Sequence, residues 1–373
     1  MGNQFATCKE IARQILPVLS DNLVMPNLIH KDFSADFVPG KGAKIQVRKP
    51  VKLTASEFDA AAGTKAQDIK EETVEVALDH LATVDVDISA VEMATSIDDL
   101  VRTVITPAAV ALAEKINADG LKLYRDIPYA VGTPGTTPST LDAFSAIRAK
   151  LNANKAPMAG RRAIWDVEAD AAFTKLDTLV AVDKAGTNHA LREGEIGRVY
   201  GLDNFMSQAV AKHESGTLAT AGTSGKKMLL QGDATAASQI TIDTDDTALT
   251  GTLVHGDLLQ IGTQTVVVTK GATAASNKIT VEIYPALTAA DNTEVKLMGN
   301  HVANMAFQES AFAFVTRPLI APAGVESYVV NHNGITLRVV RGYNMQYKKE
   351  MISVDVLYGY KTMYPELAVT YMG

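Results

Sequence analysis

At 373 residues, 47% of them apolar and 21% charged, the chain holds ample material for buried cores, and a norm of ~150 residues per domain gives two or three units rather than one. A net charge of -7 argues against a protein that grips nucleic acid through a basic surface, since that requires clustered Lys and Arg to displace counterions. One cysteine, Cys8, excludes an internal disulfide; with no signal-peptide pattern and no window near the ~18 apolar residues of a membrane span, a soluble protein made in a reducing compartment is expected.

Residues 4–16 place Phe5, Cys8, Ile11, Ala12, Ile15 and Leu16 at helical spacing, and Pro17 is expected to stop that helix. "KIQVRKPVKL" then alternates, with Ile45, Val47, Val51 and Leu53 on one face and Lys44, Gln46, Arg48 and Lys52 on the other. "TVEVALDHLATVDVDIS" (73–89) keeps a two-residue period throughout, with Glu75, Asp79, Asp85 and Asp87 opposite an apolar parity; fully extended it would reach about 55 Å. An antiparallel ribbon follows, with the cations Lys44, Arg48, Lys49 and Lys52 across from these acidic positions. The intervening "TASEFDAAAGTKAQDIKEE" has few large apolar groups and reads as an exposed tip carrying Glu57, Lys65, Glu71 and Glu72. The plainer alternative is two ordinary strands in one sheet, broken near "DHLAT".

A helix is expected from Pro107 to Asp126, about 30 Å long, preceded by a capping pair at Ser96 and Asp99, with Pro107 marking a break. After the breaker-rich "VGTPGTTPST", Ser139 and Asp142 should cap a helix whose apolar face is Leu141, Phe144, Ile147 and Leu151. "RRAIWDV" reads as a buried strand and "EADAAFTKLDTL" as a helix, an irregular mixture that favours α+β over a doubly wound sheet. In "LREGEIGRVYGLDNF", Gly194, Gly197 and Gly201 suggest backbone positions with positive φ or close approach, a structural use. From Thr217 to Asn300 there is no Arg and the only aromatic residue is Tyr284; short alternating runs ("QITIDT", "LLQIGTQTVVVTK", "NKITVEIYP", "EVKLM") between turn signals predict a small all-β barrel or sandwich inserted into a host domain. Strands such as "ITLRVVRGY" and "MISVDVLYGY" complete the host.

Catalytic patterns fail on their particulars. "GTSGKK" (222–227) has Thr220 and Lys227 where a phosphate loop needs Gly and Ser or Thr, no HExxH occurs, and the seven histidines show no pair at metal-ligand spacing. Asp243, Asp245 and Asp246 lack the Gly and distal Glu of a calcium loop, leaving a solvated loop or a protein contact. No catalytic residue, cofactor or metal site is expected, and the chain is read as a structural protein rather than an enzyme.

Taken together, the alternating ribbon, the long helix, "LREGEIGRVYGLDNF", the inserted β module and the ending "MISVDVLYGYKTMYPELAVTYMG" resemble the major capsid protein of tailed bacteriophages, and most closely the podovirus coat-protein branch with an inserted β-barrel domain. The insertion is matched by position and type alone. The resemblance implies an α+β capsid fold with 1–36 as N-terminal arm, 37–92 as extended β-hairpin loop, and 93–130 as spine helix of a peripheral domain completed by 345–373. Residues 131–212 and 301–344 would form the axial and peripheral core, and 213–300 the inserted barrel. It further implies self-assembly into hexamers and pentamers of an icosahedral head around double-stranded DNA, bound without sequence specificity, with scaffolding and portal proteins as partners and no membrane. Such a head is put together in the bacterial cytoplasm and the protein ends in the virion. Inter-subunit contacts are expected from the ribbon and tip charges and from the aspartates of "IDTDD". Two other readings stay open: a tail-tube, decoration or adhesive protein built on the Thr- and Gly-rich β module, and an enzyme with a β lid over an α+β domain.

Overall fold

The computed structural model describes residues 8–31, 44–48, 73–89, 106–186, 189–220, 227–244, 248–322, 324–332, 334–346 and 349–373. The chain forms two units, one of Met1–Ser20, Lys31–Ala109 and Phe314–Met363, the other of Asp21–His30, Val110–Ala313 and Tyr364–Gly373.

Helix α1 (Cys8–Asn22) buries the face made by Cys8, Ile11, Ala12, Ile15, Leu16 and Leu19. It does not stop at Pro17, contrary to the expectation from sequence. The proline lies on the exposed face, and burial of Ile15, Leu16 and Leu19 around it keeps the turn helical despite one lost backbone hydrogen bond. Strands β1 (Lys44–Arg48), β2 (Thr73–Ala77) and β3 (His80–Ser89) follow. Helix α2 (Thr106–Leu121) and a 3-10 turn at Lys122–Asp126 cover the long helical run; the Ser96–Asp99 pair lies outside the described residues. After β4 (Ala130–Gly132), helix α3 (Asp142–Ala153) starts without the cap expected from Ser139, its first turn being closed by the Ala143 amide donating to the Thr140 carbonyl. Then come β5 (Arg161–Trp165), α4 (Val167–Phe173), capped by Asp166, and the short helices α5 (Asp177–Val180), α6 (Val182–Ala185) and α7 (His189–Glu193). Strands β6 (Arg198–Val199) and β7 (Leu202–Met206) form a hairpin whose two turn residues, Tyr200 and Gly201, both have positive φ, the primed turn that matches strand twist.

Strand β8 (Lys212–His213) leads to a β-rich stretch: β9 (Ala219–Thr220), β10 (Met228–Leu230), β11 (Ala234–Thr244), β12 (Leu249–Thr250), β13 (Thr252–Leu253), β14 (Leu258–Ile261), β15 (Gln264–Lys270), β16 (Ala272–Thr273), β17 (Ile279–Ala289) and β18 (Glu294–Leu297). The order β10-β11-β17-β15-β14-β18 closes into a barrel. Alternation explains its filling: Ile240 and Ile242, Val266 and Val268, and Ile279, Val281 and Ile283 point inward on successive strands, with Leu259, Ile261, Leu287 and Val295. Closure leaves no open edge, so Thr-rich outer faces stay solvated without inviting strand addition.

The chain ends with β19 (His301–Gln308), β20 (Phe312–Arg317), β21 (Glu326–His332), β22 (Ile335–Asn344), β23 (Lys349–Thr362) and β24 (Ala368–Met372). In the second unit a sheet runs β4-β24-β19-β5-β7-β6, with β8 also pairing β19. Phe144, Ile147 and Leu151 of α3 and Phe173 of α4 pack on Trp165, Ala306 and Val369 of this sheet. In the first unit the order is β20-β23-β22-β21, and β3 pairs β23.

That last pairing corrects the expected continuous ribbon of residues 73–89. The strand breaks at Leu78–Asp79. Its first part pairs β1, whereas its second lies antiparallel to β23, from His80 opposite Tyr358 to Ser89 opposite Lys349. Asp87 therefore meets Lys349 at 2.5 Å, and the β1 cations do not lie across from Asp85 and Asp87. A period of two specifies faces, not which neighbour a strand takes.

Candidate assembly site

The ribbon is built from short cross-strand pairs. Ile45 faces Val76, Val47 faces Val74 and Gln46 faces Glu75, and among the described residues β1 and β2 form a two-stranded sheet of their own. Lys44 lies opposite Ala77, so its ammonium reaches Glu75 on the diagonal at 2.6 Å; this hydrogen bond raises the Lys44 pKa above its ordinary value. Both side chains are about half exposed or more, so the pair sets register rather than stability.

The ribbon is rooted on β23. A Cβ at Gly359 would lie 1.8 Å from the Ala77 carbonyl oxygen, so only glycine lets the end of β2 come this close. Beside it the His80 ring stacks on Tyr358 with centroids 5.4 Å apart, and Tyr358 and Tyr360 pack on Phe314 beneath. Arg338 of β22 holds Asp355 of β23 by two hydrogen bonds, at 2.5 and 2.9 Å, bracing the sheet that carries the root. Helix α1 attaches to the same unit: the Cys8 amide donates to the Glu326 carboxylate, and burial with that carboxylate nearby pushes the Cys8 thiol up to about 11, which makes it an inert packing group.

Of the residues singled out from sequence, the structure joins Lys44 and Glu75. Arg48 sits opposite Thr73, Asp79 occupies the break next to His80, and Asp243 lies in β11 opposite Leu229. Lys49, Lys52, Glu57, Lys65, Glu71, Glu72, Asp245 and Asp246 lie outside the described residues, as do the tip 54–72 and most of "GTSGKK". Gly359 was missed, although its place between two tyrosines in "YGY" is a signal of close backbone approach.

Sequence reading also missed a buried polar cluster where the barrel joins its host. The Tyr124 hydroxyl is 2.9 Å from His213 Nδ1, and His213 Nε2 is 2.9 Å from Asp257 Oδ1. Asp257 also accepts from the amides of Gly216 and Val254. His301 packs against His213 with ring centroids 5.0 Å apart. The histidines judged unpaired from spacing are thus brought together, but no group of three metal-ligating side chains forms among the described residues.

No family model matches the sequence, and neither does any curated protein. Solved structures do match in fold. One described as Mycobacterium phage Che8 has a TM-score of 0.54 at 16% identity, over 94% of this chain and 90% of that one. The capsid structure of the cyanophage P-SCSP1u has a TM-score of 0.52 at 12% identity, over 94% and 88%. The chain therefore has the α+β major capsid fold of tailed phages, carrying a small all-β barrel.

Proposed function

We propose that this chain is a major capsid protein whose copies assemble as hexamers and pentamers of an icosahedral phage head around double-stranded DNA. The observation that carries the reading is the β1–β2 ribbon: among the described residues it is a two-stranded sheet, which is marginal in water, and it is braced at its root while its Lys44, Gln46 and Glu75 face stays exposed. Lying on an adjoining copy would supply the missing cover, and repetition around closed rings would multiply each weak contact. An acidic surface suits a container, since it does not hold the genome that must move within it.

In this reading residues 1–36 act as an arm, 37–92 as the inter-subunit loop, and the barrel of 213–300 aids subunit folding or capsomer contacts. Scaffolding and portal proteins are the partners during assembly in the bacterial cytoplasm, the virion is the destination, and no reaction is catalysed. The test is deletion of residues 54–72, with any scaffold co-expressed and particles counted by electron microscopy. Loss of closed shells with the subunit still folded is expected; normal yields would remove the inter-subunit role of the 37–92 loop.

A further inference from the structure

The chain passes into the barrel at His213 and out of it at His301, and these two residues sit opposite each other in the β8–β19 pairing. Asp257, from the turn before β14, and Tyr124, from the turn after α2, meet them, so ingoing strand, outgoing strand, barrel and host converge on one buried cluster. His213, Asp257 and His301 are 2%, 1% and 2% exposed. The two bodies are in close contact here, for a Cβ at Gly256 would lie 2.7 Å from Cγ of Arg125.

The Asp257 carboxylate can only accept, so His213 Nε2 carries hydrogen and donates to it, while Nδ1 lies within hydrogen-bond distance of the Tyr124 hydroxyl, which accepts from Arg125 Nε at 3.4 Å. His301 Nδ1 donates to the Gly299 carbonyl at 2.9 Å, which leaves Nε2 as a bare lone pair, buried and without a partner among the described residues. The single bond of the His301 ring suits a neutral imidazole. A proton on His301 Nε2 would create a buried N–H with no acceptor.

We propose that His301, backed by His213, is a proton-operated latch that fixes the inserted barrel to its host in neutral solution and releases it in mild acid. The charged and titratable groups facing it are accounted for. Asp257 is committed to His213 and two backbone amides, Tyr124 to His213 and Arg125, and at the rim Asp126 pairs with His255 at 3.2 Å. Burial is the main force holding the His301 pKa below the ordinary 6.5, the neighbouring His213 adds to it, and the Gly299 bond and Asp257 oppose it. The opened form takes its proton at the ordinary value while the closed form resists, so the latch is fully closed above 6.5 and weakens as pH falls below it.

Hydrogen exchange on the full-length chain, compared at about pH 7.5 and about pH 5 after correction for intrinsic rates, tests this. Protection of the Gly216, Val254 and Gly256 amides should fall by up to about tenfold per pH unit in acid, while barrel-core amides such as Ile242 and Val281 hold. His301→Phe, which fills the space without titrating, should abolish the acid response; His301→Asn serves if the Phe variant does not fold. Constant protection in the native chain, or an acid loss that persists in the variant, would overturn the latch.

Discussion

Gly359 shows how one absent methyl group decides whether a strand can seat. With the Ala77 carbonyl 1.8 Å from where a Cβ would stand, Gly359→Ala must move backbone rather than a flexible side chain. Overpacking of this kind costs about 1–3 kcal/mol. We expect the variant to lose that much unfolding free energy in a urea titration, with a lower midpoint, and to lose protection at the amides of β2; an unchanged midpoint would contradict the seating. Residue types gave partial notice of such sites. The glycines at 194, 197 and 201, read as positions of positive φ or close approach, have φ of 72°, 69° and 83°, and a Cβ at each would meet nothing within 4 Å. The partner of Gly359 was not legible, because nothing local to "YGY" says that a carbonyl from Ala77 will arrive. The same holds for His213 and His301, which only closure of the whole insertion brings side by side.

Elements were most legible where period and punctuation agreed. The barrel strands follow alternation between turn residues, as in "LLQIGTQTVVVTK", which becomes β14 and β15 joined through Gly262 and Thr263. Helix α1 went wrong at Pro17 because a local rule was outweighed by burial of Ile15, Leu16 and Leu19. The ribbon was half legible: β1 and β2 pair as expected, but the break at Leu78–Asp79 and the pairing of β3 with β23 rest on contacts across most of the chain. Among the described residues the buried side chains of the barrel core run from Leu218 to Val295, and each large apolar one stabilises it by roughly 1.5–3 kcal/mol before entropy. A fragment of residues 217–300 should therefore give a cooperative melt by circular dichroism, and a disordered spectrum would contradict that.

For the molecule as a whole, the fold match and the chemistry point the same way. In the proposed function, the β1–β2 ribbon, two-stranded among the described residues, takes its cover from an adjoining copy. Composition carried part of this, through the net charge of -7 that disfavours tight binding of a genome. What composition could not carry is the number and arrangement of copies, which depends on interfaces formed only between subunits. Sedimentation velocity on the full-length chain, expressed with its scaffold if one is required, tests the account most directly. It predicts closed megadalton particles that vanish when residues 54–72 are removed; a single boundary at the 39.7 kDa monomer, or a small ring, would contradict it.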